Sequence, residues 1–301
     1  GFSAGAHIYF LTRMPSPKII SQSFSEIKPR VISCVPLIVE KIIKKDILPK
    51  VDSKIGKLLL KVPIVNDKIK SLARQAAMEI FGGNFDEIII GGAPFNAEVE
   101  AFLKKIGFPY TIAYGMTECG PIICSSRWET LKLASCGKAT TRMEVRIDSP
   151  DPKTHAGEIV CRGMNMMLGY YKNIRESKKA VCDGYLKTGD IGYLDDKKFL
   201  YICGRKKNII IVRGFNVFVE EVEETLLNSG LAADCKVYAR QCEGAETVCA
   251  DIVKAHNAVS AAEIIEYLAT VLADYKIPRK IVFVNALDKN ASGKIFRYEK
   301  K

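Results

Sequence analysis

The stretch from Gly184 to Glu224 reads GYLKTGDIGYLDDKKFLYICGRKKNIIIVRGFNVFVEEVEE. It contains a carboxylate, Asp190, within Thr188-Gly189-Asp190, a sequence that predicts a turn. Two short apolar runs follow, Phe199 to Cys203 and Ile209 to Val212, and each is bounded by glycine or charged residues. Runs of this kind are typical of strands. We therefore expect the carboxylate to lie close to the basic turn between the two strands.

That basic turn is Gly204-Arg205-Lys206-Lys207-Asn208, and Gly214 lies just beyond the second run. Two further polar segments follow predicted strands earlier in the chain. Gly91-Gly92-Ala93-Pro94 follows the strand 87–90, and Tyr114-Gly115-Met116-Thr117-Glu118 follows the strand 110–114. Because parallel sheets bind ligands at the carboxyl ends of their strands, both segments are expected to face one pocket.

YLKTGD, GRKKNIIIVRGFNV, GGAP and YGMTE together resemble motifs of the adenylate-forming (AMP-binding) superfamily, which includes the acyl-CoA synthetases. The resemblance implies that Asp190 accepts hydrogen bonds from the ribose hydroxyls of ATP. It also implies that Arg205 contacts the nucleotide and that Lys207 is the hinge of a mobile small domain. Without the other motifs, Thr-Gly-Asp would favour an ordinary turn.

The same resemblance assigns roles to the other segments. The residues expected to line the adenine pocket are Gly91, Gly92, Ala93 and Pro94, followed by Tyr114, Gly115 and Met116. Tyr114 is expected to pack against adenine and Thr117 to contact the α-phosphate. Glu118 is expected to hold Mg²⁺, an ion that prefers a carboxylate together with phosphate and water oxygens.

The last segment with an expected catalytic role is Ala291-Ser292-Gly293-Lys294-Ile295. It resembles the family's segment with the adenylation lysine, so Lys294 would stabilise charge that develops between the acyl carboxylate and the α-phosphate. Asp288 stands where the family usually has proline. Gly214 is expected to line the path of the CoA thiol. The motif from Gly157-Glu158-Ile159 to Gly169-Tyr170-Tyr171 is assigned to structure rather than chemistry.

Alternating strand and helix patterns up to residue 114 predict an α/β fold with a largely parallel sheet. Residues 8–11 are also expected to form a strand. Short strands with glycine turns follow from residue 143, and a compact α+β unit follows the basic turn. By resemblance, residues 1–203 are the carboxyl-terminal part of a large mixed-sheet adenylate-forming domain, and residues 204–301 are its small mobile lid domain.

The family also has a Ser/Thr/Gly-rich phosphate loop well before the GGAP segment, and no part of this sequence matches it. We therefore expect the chain to be part of a longer enzyme and to be inactive by itself.

The composition excludes some classes of protein and leaves others open. The net charge of +11 over 301 residues fits polyanionic ligands, nucleic acid or an anionic membrane surface. Peripheral membrane contact is the minority interpretation, and a nucleic-acid recognition motif is lacking. None of the ten cysteines forms a Cys-x-x-Cys pair, which predicts reduced thiols and a cytoplasmic location.

The resemblance implies an ATP-dependent and Mg²⁺-dependent acyl-CoA synthetase that converts a carboxylic acid to acyl-AMP and then to acyl-CoA. The long segment between Pro36 and the GGAP motif favours the long-chain fatty acid branch, a fatty acid–CoA ligase. Two alternatives stay open, namely an acyl-AMP ligase that loads a carrier protein and a non-catalytic nucleotide-binding module. Chain-length preference and oligomeric state are not predicted.

Overall fold

The computed structural model describes residues 5–11, 17–51, 63–151, 155–242, 245–289 and 295. The chain divides into two compact units, each described here by itself. The first comprises Gly1–Phe95 and Val99–Thr111, and the second comprises Asn96–Glu98 and Ile112–Lys301. The boundary predicted between residues 203 and 204 stays a prediction.

The first unit combines helices with two parallel strands. Its elements are α1 (Pro17–Ile27), β1 (Val31–Cys34), α2 (Pro36–Ile42), a π-helical turn (Ile43–Ile47), α3 (Leu48–Val51), α4 (Pro63–Ile80), β2 (Glu87–Gly91) and most of α5 (Ala97–Lys105). Strand β1 pairs with β2 in parallel, with Val31 opposite Glu87. Ile88 and Ile90 of β2 are fully buried, as the apolar run predicted.

Aromatic side chains form the core next to α4. Phe81 is fully buried, and its ring centroid lies 5.8 Å from those of both Phe24 and Phe108. Gly82 has a φ of +95°, and a Cβ there would lie 2.5 Å from the carbonyl oxygen of Phe24. A glycine at this position therefore allows the end of α4 to approach α1.

The second unit contains an antiparallel sheet with the order β10-β9-β7-β6. Its elements up to residue 205 are the end of β3 (Tyr110–Gly115), β4 (Ile122–Ser125), β5 (Lys138–Ala139), β6 (Met143–Asp148), β7 (Gly157–Gly163), α6 (Ile174–Ala180), β8 (Val181–Cys182), β9 (Tyr185–Leu194) and β10 (Leu200–Arg205). Ile123, Ile159 and Leu200 belong to its buried core.

The remainder of the second unit has a buried core of its own, which includes Val222, Val237 and Leu268. Its elements are β11 (Ile210–Val212), β12 (Phe215–Val217), α7 (Val219–Asn228), β13 (Ala232–Cys242), β14 (Ala245–Lys254), α8 (Ala261–Val271) and β15 (Lys280–Phe283). Strand β14 pairs with β13 in antiparallel and with β15 in parallel orientation. Each helix of this part is amphipathic, so its apolar face packs on the strands and forms this core.

Two local predictions are wrong. Residues 8–11 have no regular secondary structure, and Tyr9 and Phe10 are 58% and 76% exposed. Thr188-Gly189-Asp190 is not a turn between elements but lies within the ten-residue strand β9. Gly189 has a φ of +72°, and the β7–β9 register shifts between Glu158 and Val160, so the segment is a bulge inside the sheet.

The mixed α/β architecture predicted from the sequence is confirmed. Over the described ranges, none of the helices has the length and apolar character needed to cross a membrane.

Candidate active site

Asp190 is the most strongly constrained carboxylate of the predicted site. Only 7% of the residue is exposed, and both its oxygens have partners. The Tyr114 hydroxyl donates to Oδ2 over 2.7 Å, and the Arg205 Nε lies 2.8 Å from Oδ1. Arg205 stands directly opposite Asp190 in the β9–β10 register. The sheet therefore brings together three residues that the sequence had assigned to one nucleotide site.

Thr188 holds the bulge that presents Asp190. Its Oγ1 donates to the carbonyl oxygen of Ile159 over 2.7 Å and accepts from the Asp190 backbone N–H over 3.1 Å. Thr188 is itself buried, so these hydrogen bonds fix the bulge in the absence of competing water. The position of the carboxylate is thus set before any ligand arrives.

Sequence reasoning missed a second buried carboxylate, Glu158. One of its oxygens accepts from the Gly189 backbone N–H over 3.2 Å, and the other lies 2.7 Å from the Nζ of Lys206. A buried carboxylate requires such a cation and hydrogen-bond donors to offset its desolvation. Glu158 belongs to the Gly157-Glu158-Ile159 motif, to which the sequence analysis gave only a structural role. The sequence did not indicate that this carboxylate pairs with a lysine of the basic turn.

An open depression of about 330 Å³ lies beside these residues. Its lining residues are Gly189, Arg205, Lys206 and Lys207. Three of the four carry a positive charge, and two of these charges are offset because Arg205 pairs with Asp190 and Lys206 with Glu158. The charge of Lys207 therefore favours anions such as nucleotide phosphates at the depression. Lys207, the predicted hinge, belongs to a 3₁₀ turn, Lys206–Asn208, directly after β10.

The Tyr114–Glu118 segment forms a tight turn after β3. The Met116 backbone N–H donates to the carbonyl oxygen of Pro121 over 2.8 Å. A Cβ at Gly115 would lie 2.0 Å from that same oxygen, so the turn requires glycine there. Thr117 is exposed and Glu118 is half-buried, which leaves both side chains accessible to a ligand.

Tyr114 is buried beside Asp190. It is 8% exposed, and its hydroxyl is committed to Asp190. Burial and the adjacent carboxylate raise the pKa of Tyr114 well above its usual range, so the hydroxyl remains a donor at all physiological pH values. Its predicted packing against adenine stays a prediction, but its contact with Asp190 is a feature that the sequence did not indicate.

Gly214 lies in the tight turn between β11 and β12. Arg213 and Gly214 have φ values of +50° and +86°, the combination that two-residue hairpin turns need. A Cβ at Gly214 would meet no atom of the described residues within 4 Å, so they leave the turn tip open. This exposure suits the predicted role of Gly214 beside a narrow substrate chain, a role that stays a prediction.

Two other predicted groups cannot be related to this cluster. Gly91, Gly92, Ala93 and Pro94 belong to the first unit, where they follow β2. Their common pocket with Tyr114–Glu118 therefore stays a prediction. Lys294 lies outside the described residues.

The nine cysteines whose side chains the structure describes are free thiols. Two of them, Cys119 and Cys161, are in contact, with their Sγ atoms 3.5 Å apart. Burial raises the pKa values of Cys34 and Cys124 to about 12, so both are protonated at neutral pH. Within the described ranges, no group of three or more His, Cys, Asp or Glu side chains could hold a metal ion. Any Mg²⁺ at Glu118 would therefore complete its coordination with oxygens of the nucleotide or of water.

We expect Tyr114→Phe to lower the free energy of unfolding by about 1–3 kcal/mol, because buried Asp190 loses a hydrogen-bond donor. Urea denaturation of the 301-residue chain measures this loss. Tyr193→Phe is the matched control, since Tyr193 is 43% exposed on the same strand as Asp190. Equal stability of the two variants would contradict a stabilising role for the Tyr114 hydroxyl.

Comparison with known proteins agrees with this geometry. The AMP-binding enzyme family matches residues 1–171, and the AMP-binding enzyme C-terminal domain matches residues 221–294. The chain thus belongs to the AMP-binding enzymes, the superfamily indicated by its motifs.

Particular relatives narrow the comparison. The 2-succinylbenzoate–CoA ligase of Bacillus cytotoxicus is 33% identical over 245 residues, covering 79% of this chain and 50% of the relative. That of Bacillus subtilis strain 168 is 35% identical over 220 residues, covering 71% and 45%. The chain therefore spans about half the length of the curated relatives it matches.

Solved structures give the same result. The o-succinylbenzoate CoA synthetase (MenE) of Bacillus subtilis, in complex with the acyl-adenylate intermediate OSB-AMP, matches with a TM-score of 0.76 and 28% identity. This match covers 93% of the chain and 52% of that structure. The same enzyme in complex with ATP and magnesium ion matches with a TM-score of 0.75.

These relatives do not support the assignment to the long-chain fatty acid branch. It relied on the length of the segment between Pro36 and the GGAP motif. The described part of that segment is mostly helical, from α2 to α4, and helical length carries no information about the acid. Nor do the relatives support membrane contact, which stays a prediction together with the cytoplasmic location.

Proposed function

We propose that the full-length protein is an AMP-forming acid–CoA ligase, and that its acid is 2-succinylbenzoate. The observation that carries the proposal is the Tyr114–Asp190–Arg205 cluster beside a cationic depression, within a chain 33% identical to a 2-succinylbenzoate–CoA ligase. Its substrates are ATP, the acid and CoA, and Mg²⁺ is its metal.

Each step has a residue suited to it. Asp190 accepts hydrogen bonds from the ribose hydroxyls, as carboxylates do in other nucleotide-binding folds. Thr117 donates to the α-phosphate, and Arg205 and Lys207 offset the charge of the phosphates. Glu118 fits Mg²⁺ because its carboxylate is accessible and can share the ion with phosphate oxygens. Bound Mg²⁺ would supply charge neutralisation at the phosphates.

The first half-reaction is attack of the acid's carboxylate oxygen on the α-phosphorus of ATP, which releases pyrophosphate and leaves acyl-AMP. Lys294 would stabilise the negative charge that develops between the two groups. In the second, the CoA thiol gives up its proton and the sulfur attacks the acyl carbon, which releases AMP. The small domain would rotate about Lys207 between the two steps, as hinged domains do.

We expect the full-length protein to catalyse pyrophosphate exchange into ATP with 2-succinylbenzoate at least tenfold faster than with palmitate, a difference of about 1.4 kcal/mol in transition-state binding. Thioester formation from CoA, measured by chromatography, tests the second step. A carrier protein offered in place of CoA tests the alternative acceptor. Faster exchange with palmitate would contradict the proposed acid. If none of the carboxylic acids tested supports exchange, the proposed ligase activity is contradicted.

A further inference from the structure

Glu118 is the centre of a second set of contacts that the proposed function leaves unexplained. The segment 163–173, between β7 and α6, packs on the turn that carries it. The Met167 backbone N–H donates to the Glu118 carbonyl oxygen over 2.7 Å. The Asn165 side-chain amide donates to the carbonyl oxygens of Cys119 and Ile122 on either side of the same turn. The turn is therefore held from outside as well as by its own hydrogen bonds.

The same segment also contacts the carboxylate itself. The Tyr170 hydroxyl donates to Oε1 of Glu118 over 2.9 Å, across 52 residues of sequence. This contact engages Oε1, and among the described residues Oε2 accepts no hydrogen bond. A hydrogen bond to a charged acceptor also restricts side-chain rotation, so the rotamer entropy lost on metal binding is smaller.

Tyr170 is anchored in turn by the start of α6. Its backbone N–H donates to the Ser177 hydroxyl over 2.8 Å, and that hydroxyl donates to the Asn173 carbonyl oxygen over 2.8 Å. Asn173 caps the helix by accepting from the Glu176 backbone N–H over 3.2 Å. A Cβ at Gly169 would lie 3.0 Å from the same hydroxyl, so the backbone passes close to Ser177. The backbone of Tyr170 is thus hydrogen-bonded to the first turn of α6.

We propose that Tyr170 is a positioning residue for the metal-binding carboxylate of Glu118, and that Asn165 supports it through the backbone of the turn. The proposal rests on the proposed function, since it assumes that Glu118 holds Mg²⁺.

Tyr170→Phe in the full-length protein keeps the ring and removes only the donor. We expect the metal affinity of the nucleotide complex to fall roughly tenfold, the effect of losing one hydrogen bond to a charged group. Mn²⁺ binding in the presence of ATP, followed by electron paramagnetic resonance, measures this without turnover. The affinity for AMP without metal should not change, and excess Mg²⁺ should restore the rate of exchange.

Tyr171→Phe is the matched control, because the Tyr171 ring is 87% exposed and packs on Lys172 instead. Metal affinity that falls in Tyr170→Phe alone supports the proposal. Wild-type metal affinity in Tyr170→Phe overturns the positioning role and leaves the proposed function intact. An equal loss of AMP affinity also overturns it, since it would show a general structural role. Absence of ATP-dependent Mn²⁺ binding by the wild-type protein would overturn both the proposed function and this inference.

Discussion

Asp190→Ala in the full-length protein should weaken ATP binding by about tenfold to 150-fold, which corresponds to about 1.5–3 kcal/mol. The ribose hydroxyls would lose a charged acceptor that the β9 bulge holds in place. The Tyr114 hydroxyl and the Arg205 guanidinium would also lose their common partner, so the site would lose its preorganised geometry. Isothermal titration calorimetry with ATP measures the change.

Two further variants separate charge from position. Asp190→Asn keeps the shape and one acceptor oxygen, so we expect an intermediate loss. Asp196→Ala removes an exposed aspartate just beyond the same strand and should leave ATP affinity unchanged. If Asp190→Ala also binds ATP as the wild type does, then the Asp190 carboxylate serves only to hold Tyr114 and Arg205.

Lys294→Ala and Gly214→Leu should impair different half-reactions. Lys294→Ala should slow acyl-AMP formation by about 100-fold to 1,000-fold, the usual cost of losing one group that stabilises transition-state charge. Thioester formation from supplied acyl-AMP and CoA should remain largely intact. Gly214→Leu should do the reverse, because a side chain at the open tip of the β11–β12 turn would obstruct the CoA thiol. Measuring the two half-reactions separately for each variant is the test.

Backbone strain requires a control, since leucine at the positive φ of Gly214 is disfavoured even where space is available. Gly230 has a φ of +74° and is equally open, but it lies at the end of α7. Gly230→Leu therefore reproduces the strain without blocking the turn tip. Lys280→Ala, at an exposed lysine, is the control for charge. If Lys294→Ala and Gly214→Leu slow both half-reactions equally, the two-orientation mechanism does not apply to this protein.

Secondary structure was largely predictable because its signals are local. Helix α7 ends at Asn228, and Gly230 beyond it has the left-handed φ that glycine favours at a helix stop. Ser260 caps the start of α8, since its hydroxyl accepts from the Glu263 backbone N–H over 3.2 Å. In each case the determining hydrogen bond or φ value involves residues at most a few positions apart.

The superfamily was also predictable, since its short motifs occur together in one chain. The acid was not, because the length of a helical segment does not describe the shape or polarity of a pocket. On the basis of the relatives, the proposed substrate is 2-succinylbenzoate rather than a fatty acid.

Only the tertiary structure decided which side chains partner the carboxylates of the site. Tyr114 and Asp190 are 76 residues apart, Tyr170 and Glu118 are 52 apart, and Lys206 and Glu158 are 48 apart. A buried or half-buried carboxylate needs donors, but local sequence does not specify which donors reach it. Strand register places only Arg205 opposite Asp190, and a shift of one residue would move each side chain to the opposite face of the sheet. Tyr114, Tyr170 and Lys206 reach their carboxylates from β3, from the segment after β7 and from the turn after β10, so tertiary packing selects these donors.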